Sequence, residues 1–242
     1  MRRYAKKSTK KGRKRAPKRV RRGRRKFAKT SYKGRVVKVA GALPLPSKFT
    51  VKHRYIEDVK LLDPSGLIPA VYSFRANSLF DPDYTGSGHQ PMGFDNIMPF
   101  YNHYTVIGSK IRVRFISAEI TNTMPQVCGI LMNGEQTLSL PNWQNLAEQG
   151  NLTYGHMIQN TGDSSCEIQL TRTFSASKYF GRKGILTEDD FRGTATTNPA
   201  EQAYFHLFVC PADNSSNTGG ARAIVEIEYI AVYTELKQLG SS

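Results

Sequence analysis

The sequence predicts an all-β fold: an eight-stranded jelly roll of two packed antiparallel sheets, preceded by a basic arm with no core of its own. Three observations predict it. Eight segments of strand character follow one another over about 190 residues. Helix signals are few and fall between strands. The connections are long and decorated, which suits a double-sheet jelly roll better than a sandwich of short hairpins.

The arm comes first. Residues 1–38 hold 20 of the 35 Lys and Arg residues, and no Asp or Glu precedes Glu57. The rest of the chain carries 15 cations against 19 acids, so a formal charge of +16 resolves into a strongly basic arm and a body of net −4. Such concentration excludes a uniformly basic fold and points to a polyanion, of which nucleic acid is the commonest. The cations that carry this reading are Arg2, Arg3, Lys6, Lys7, Lys10, Lys11, Arg13, Lys14, Arg15, Lys18, Arg19, Arg21, Arg22, Arg24, Arg25 and Lys26. Their like charges repel, and Gly12, Pro17 and Gly23 interrupt any helix, so the arm is expected to be disordered in isolation. Tyr4, Phe27 and Tyr32 stand among the cations, where they can stack on unpaired bases. Residues 39–47, with Pro44 and Pro46, read as a linker, and 48–242 as the jelly-roll domain.

The strands follow in order. Lys48 to Leu61 alternates, with Val51, His53 and Tyr55 on one face and Lys52, Arg54 and Ile56 on the other. Ala70 to Phe80 is the second run. Tyr104 to Ile120 is the third, with Ile111, Val113 and Phe115 on one face and Lys110, Arg112 and Arg114 on the other. Pro125 to Met132 is the fourth, closed by the turn signal Asn133-Gly134. Leu152 to Gln159, Cys166 to Phe174, and Ala203 to Cys210 before Pro211 are the fifth to seventh. Ala221 to Leu236 is the eighth, with Val225, Ile227 and Tyr229 on one face and Glu226 and Glu228 on the other. Asp95 is expected to cap a short turn through Phe100 and Tyr101, and Pro141 to Gln149 to form a short helix.

Catalytic signatures are missing: there is no GxSxG, no HExxH and no Walker lysine, and Gly86-Ser87-Gly88-His89-Gln90-Pro91 lacks the third glycine of a dinucleotide loop. The densest reactive region is Phe80 to Asp95. There Asp81, Asp83, His89 and Asp95 have the chemistry to ligate a cation, while Asp-Pro and Thr-Gly-Ser-Gly equally make the turns of an ordered loop. The turn reading is preferred, so neither metal nor cofactor is expected. Cys128, Cys166 and Cys210 lie in apolar runs without zinc spacing and read as buried thiols. No segment approaches the length of a membrane helix, and no apolar stretch makes the basic N-terminus a signal peptide, so the two Asn-X-Ser/Thr matches at Asn151 and Asn214 read as chance.

Ser73-Phe74-Arg75-Ala76-Asn77-Ser78-Leu79-Phe80-Asp81-Pro82-Asp83, Gly88-His89-Gln90-Pro91, Gly93-Phe94-Asp95, Tyr101-Asn102-His103-Tyr104 and Gly108-Ser109-Lys110-Ile111 together make a block of about 40 residues. This block resembles the capsid proteins of circovirus-like viruses, small circular single-stranded DNA viruses encoding a replication initiator. The resemblance implies a non-enzymatic jelly-roll subunit, sixty of which close an icosahedral T=1 shell. It implies an arm directed onto the single-stranded DNA genome, with nuclear-import signals that the clusters Lys10 to Lys26 suit, and a particle assembled in the host nucleus. Host import machinery and a cell-surface attachment factor are the other implied partners. Many arms of that family are nearly pure Arg, whereas this one mixes in Lys.

Trp143, Tyr154, Tyr179, Phe180 and Phe191 fall in connecting regions, where they would either anchor subunit interfaces or cover their own core. In a jelly roll the first, third, sixth and eighth strands share a sheet. Lys52, Arg54, Lys110, Arg112 and Arg114 then face Glu226 and Glu228, a surplus of three positive charges. In the family this sheet lies towards the shell interior, so the surplus is expected either to contact packaged DNA or to form a purely structural charge ladder. Two rivals share parts of this pattern. The coat of a small RNA virus shares arm and fold. A cellular nucleic-acid-binding protein would spread its cations over the folded body.

Overall fold

The computed structural model describes residues 45–61, 69–117, 125–138, 142–157, 167–212 and 221–238. The arm cations therefore lie outside the described residues, as do Cys166 and Asn214.

Eight strands form: β1 (Lys48–Leu61), β2 (Ala70–Arg75), β3 (Tyr101–Ser117), β4 (Gln126–Asn133), β5 (Leu152–Met157), β6 (Glu167–Ser175), β7 (Tyr204–Pro211) and β8 (Ala221–Leu236). They make two four-stranded sheets, in the orders β1-β8-β3-β6 and β2-β7-β4-β5, and every neighbouring pair is antiparallel. This is the jelly-roll arrangement, with strands from both ends of the chain in each sheet.

Side-chain alternation drives the layering. Tyr55, Ile111, Val113, Phe115, Val225, Ile227 and Tyr229 turn inward from the first sheet and meet Phe74, Ile130, Phe205 and Leu207 from the second. Each fully buried large apolar side chain contributes roughly 1.5–3 kcal/mol. The central strands β4 and β7 are buried on both faces, which explains their apolar runs Val127–Met132 and Tyr204–Cys210, the second interrupted by His206. Their outer face carries Val127, Leu131, Phe208 and Cys210, covered by Leu146 from the short helix α2 (Trp143–Glu148). Asn142 caps α2 by accepting from the Asn145 N–H at 2.9 Å.

A register shift between Val106 and Gly108 marks a bulge in β3. It changes the inward parity from Tyr104 and Val106 to Ile111, Val113 and Phe115.

Three local expectations need correction. The second strand stops at Arg75 rather than Phe80, because the Ala76 N–H bonds to the Ala203 carbonyl and Asn77 bonds Ala203 and Glu201. Those bonds divert the backbone from the ladder. Asp95 does not cap a helix: Gly93, with φ 84°, stands at the cap of α1 (Phe94–Ile97), and Asp95 lies in its first turn. A helix α3 (Ala176–Tyr179) and a 3-10 turn at Asp189–Phe191 were not legible, being too short for a periodic signal.

Candidate nucleic-acid interface

The outward face of the first sheet concentrates charge. Even-numbered residues of β1 and β8, and of β3 beyond its bulge, point away from the core, and the cross-strand register sets Arg54 opposite Glu228, Lys110 opposite Glu228 and Arg112 opposite Glu226. Glu226 sits between two arginines, with its Oε2 2.8 Å from Arg112 Nη1 and its Oε1 3.2 Å from Arg54 Nε. Glu228 receives Arg54 Nη2 at 3.3 Å and Lys52 Nζ at 3.9 Å. The expected pairing of Glu226 and Glu228 with cations of both neighbouring strands is present. Lys110 differs: it faces Glu228 in register, yet among the described residues no carboxylate lies within ion-pair distance of it.

The face holds more charge than the pairing argument found. Lys48, Asp58 and Lys60 share the parity of Lys52 and Arg54, and Arg222 shares that of Glu226. Arg222 clasps Asp58, with Nε 2.7 Å from Oδ1, and this holds the Asp58 carboxyl below its ordinary pKa. Glu167, the first residue of β6, stands 4.0 Å from Arg114 Nε. Extending the alternation two to four residues along each strand would have identified all five. The corrected inventory is eight cations (Lys48, Lys52, Arg54, Lys60, Lys110, Arg112, Arg114, Arg222) against four acids (Asp58, Glu167, Glu226, Glu228). The surplus is four positive charges, one more than expected. Arg54, Lys52 and Arg114 are more than half exposed, so each exposed pair contributes only about 0.2–1 kcal/mol to stability. The surplus cations keep free donors for an incoming anion.

The four reactive residues of the 80–95 loop do not converge. Asp81 Oδ2 lies 2.7 Å from Arg75 Nη1, which also donates to the Asp81 and Asp83 carbonyls. Asp83 accepts the Thr85 N–H at 2.9 Å and the Tyr72 hydroxyl at 2.7 Å. His89 directs one ring nitrogen at the Gln90 carbonyl and the other at the Ile56 carbonyl, 2.8 and 3.0 Å away. Both contacts favour the imidazolium and raise its pKa. Asp95 is exposed on α1. These carboxylates organise turns, as the turn reading expects, and among the described residues no three His, Cys, Asp or Glu side chains group to hold a metal.

The aromatic candidates divide. Phe191, a candidate either for an interface or for its own core, is buried in the main core, where its ring meets Phe180 at 4.7 Å. Tyr179 and Phe180 are half-buried and pack against that core through Phe174. Trp143 is half-buried beside the α2 cluster and stacks at 5.6 Å on Tyr154, which is exposed. Cys128 and Cys210 are free and buried, and burial pushes both thiols up, Cys210 to about 12. No helix of the described residues is long and apolar enough to cross a membrane.

No family model matches the chain, and no curated protein does. Solved structures of virus particles do. The empty head of Turnip Yellow Mosaic Virus is 13% identical, with a TM-score of 0.42, covering 86% of this chain and 94% of that one. The BFDV capsid protein, solved as a 60-mer, is 8% identical with a TM-score of 0.44, covering 81% and 97%. A semi-empty particle of the Macrobrachium rosenbergii nodavirus is 10% identical with a TM-score of 0.39, covering 86% and 95%.

Proposed function

We propose that the protein is a viral capsid subunit that assembles into a small icosahedral shell and packages circular single-stranded DNA through its basic arm. The observation that carries this reading is a division of charge. A jelly-roll body of net −4 is joined to an arm of 20 cations, and exposes one sheet face with four surplus positive charges. An arm of one sign binds polyanions by counterion release with little sequence preference. The body supplies a rigid tile with long loops for contacts to neighbours.

In this reading sixty subunits form the shell, and their arms bring about 1,200 positive charges to the interior. That is the order of charge on a genome of one to a few thousand nucleotides, so the arms offset much of its self-repulsion. The Lys10 to Lys26 clusters serve nuclear import, and assembly proceeds in the host nucleus. Lys110, Arg112 and Arg114 touch the packaged strand. Trp143, Tyr179 and Phe180 contribute to subunit contacts from the loop side. The protein performs no catalysis and enters no membrane.

Electron microscopy of the expressed full chain tests the class. Hollow spherical particles of uniform size are expected, and a monomer in all salts overturns the reading in favour of a cellular nucleic-acid-binding protein. Nuclease digestion of the particle contents then separates a DNA from an RNA cargo. Arg112→Gln with Arg114→Gln tests the sheet face: reduced DNA content in intact particles is expected. Loss of subunit stability at unchanged DNA content leaves only a charge ladder.

A further inference from the structure

β5 and β6 are edge strands of opposite sheets and lie beside one another. They approach closely at Gly155, where a Cβ would run into Ile168 Cδ1. Further along β6 stands Arg172, opposite Ile111 and so on the core side of its strand. Its guanidinium is half-buried, with Nη1 3.1 Å from Thr153 Oγ1 and Nη2 3.3 Å from Asn151 Oδ1. Both acceptors are neutral. Among the described residues no carboxylate is within ion-pair distance, unlike Arg54, Arg75, Arg112 and Arg222. A cleft of about 490 Å³ opens beside it, bordered also by Lys178, Thr173, Ser175 and Tyr179, and its lining contains no acid. That volume falls in the range of small-ligand sites.

A half-buried guanidinium without a counter-anion is costly, and burial lowers the Arg172 pKa for that reason. The lining brings two cations, Arg172 and Lys178, together with the hydroxyl-bearing Thr173, Ser175 and Tyr179, a composition that suits a phosphate group. The cleft borders the edge strand β6: Thr173, paired with Lys110, stands on the outward side of that strand and Arg172 on its core side.

We propose that the β5–β6 cleft is a phosphate-binding site in which Arg172 and Lys178 hold the oxyanion. The phosphate comes either from a nucleic-acid backbone at the β5–β6 edge or from free phosphate. The site belongs to the single folded subunit and goes beyond the capsid reading, so its test needs no particles.

The full chain is melted in sodium chloride and in sodium phosphate at equal ionic strength. A ligand that binds only the folded chain raises the melting temperature. The expected result is a phosphate-specific rise in the wild type, with the phosphate concentration needed for it increased about tenfold or more in Arg172→Gln and in Lys178→Gln. No phosphate-specific rise in the wild type, or an equal rise in both variants, overturns the proposal. If Arg172→Gln does not fold, hydrogen exchange of the wild-type amides at 151–153 and 172–175 decides. Slowing by inorganic phosphate assigns the free ion. Slowing only by a short oligothymidylate without terminal phosphates assigns the backbone. Slowing by neither overturns the site.

Discussion

The Tyr104 hydroxyl receives the backbone N–H groups of Leu79 and Phe80, both at 3.2 Å, and meets Ser78 Oγ at 3.0 Å. Tyr104 thus ties the turn that follows β2 to β3 inside the core. Tyr104→Phe leaves two buried donors unsatisfied and is expected to cost about 1–3 kcal/mol in urea unfolding. Unchanged stability would mean that those donors find other partners. His206, fully buried in β7, is held neutral by burial, and its bonds fix the tautomer. Its Nε2 faces only acceptors, Asn133 Oδ1 at 2.7 Å and the Glu135 carbonyl at 3.0 Å, so Nε2 carries the proton and Nδ1 accepts from Ser73 Oγ at 2.7 Å. Burial lowers its pKa from 6.5 to about 4. Between those values the unfolded chain binds a proton that the folded chain refuses. This contribution to stability is complete above pH 6.5, declines as pH falls, and is lost by pH 4, a total of about 3 kcal/mol. His53 is buried and lowered in the same direction. His206→Gln, which cannot take the proton, should flatten the stability profile between pH 6.5 and 4. A slope equal to wild type would assign the acid sensitivity elsewhere.

The α2 helix closes the outer face of the second sheet. Trp143→Ala removes the ring that stacks on Tyr154 and meets His156 edge-on, so a loss of about 2 kcal/mol in subunit stability is expected in thermal unfolding. A stable variant whose particles fall apart at lower salt would give Trp143 a contact role between subunits. Strands were the legible elements, because a period of two survives in the sequence wherever one face is wet: Lys52, Arg54, Arg112 and Glu226 announce their own side. β4 and β7 were legible from apolar runs. The 76–80 segment was not, since its apolar Ala76, Leu79 and Phe80 read as strand while side-chain bonds from Asn77 and contacts at Tyr104 turn the backbone aside. Phe191 was ambiguous for a related reason. A connecting segment leaves interface and core both open, and its 3-10 turn carries the ring back into the core. Arg172 was invisible as a site residue, because the cleft beside it joins β6 to Asn151 at a distance that spacing along the chain does not encode.

The whole molecule is polarised. Eight cations and four acids on one sheet face leave the remainder of 39–242 with a formal charge of −8, since the region as a whole carries −4. In the proposed shell, deleting residues 1–38 is expected to abolish nucleic-acid packaging while the body still folds, as read by circular dichroism and nuclease-protected DNA. A truncated protein that enriches DNA at physiological salt would make the sheet face the principal binder. The sheet order has a further consequence, in time rather than space. β8 is inserted between β1 and β3, and about 160 residues separate Leu61 from its partner Ala221. At roughly 5–20 residues per second, β1 waits on the order of ten seconds or more after synthesis before the strand it needs exists. Until then the first sheet has a gap at its centre, and Glu226 and Glu228 are not yet there to hold Arg54 and Arg112 in register. A nascent chain therefore has its arm long before it has its cationic face, and a subunit truncated before β8 never acquires that face.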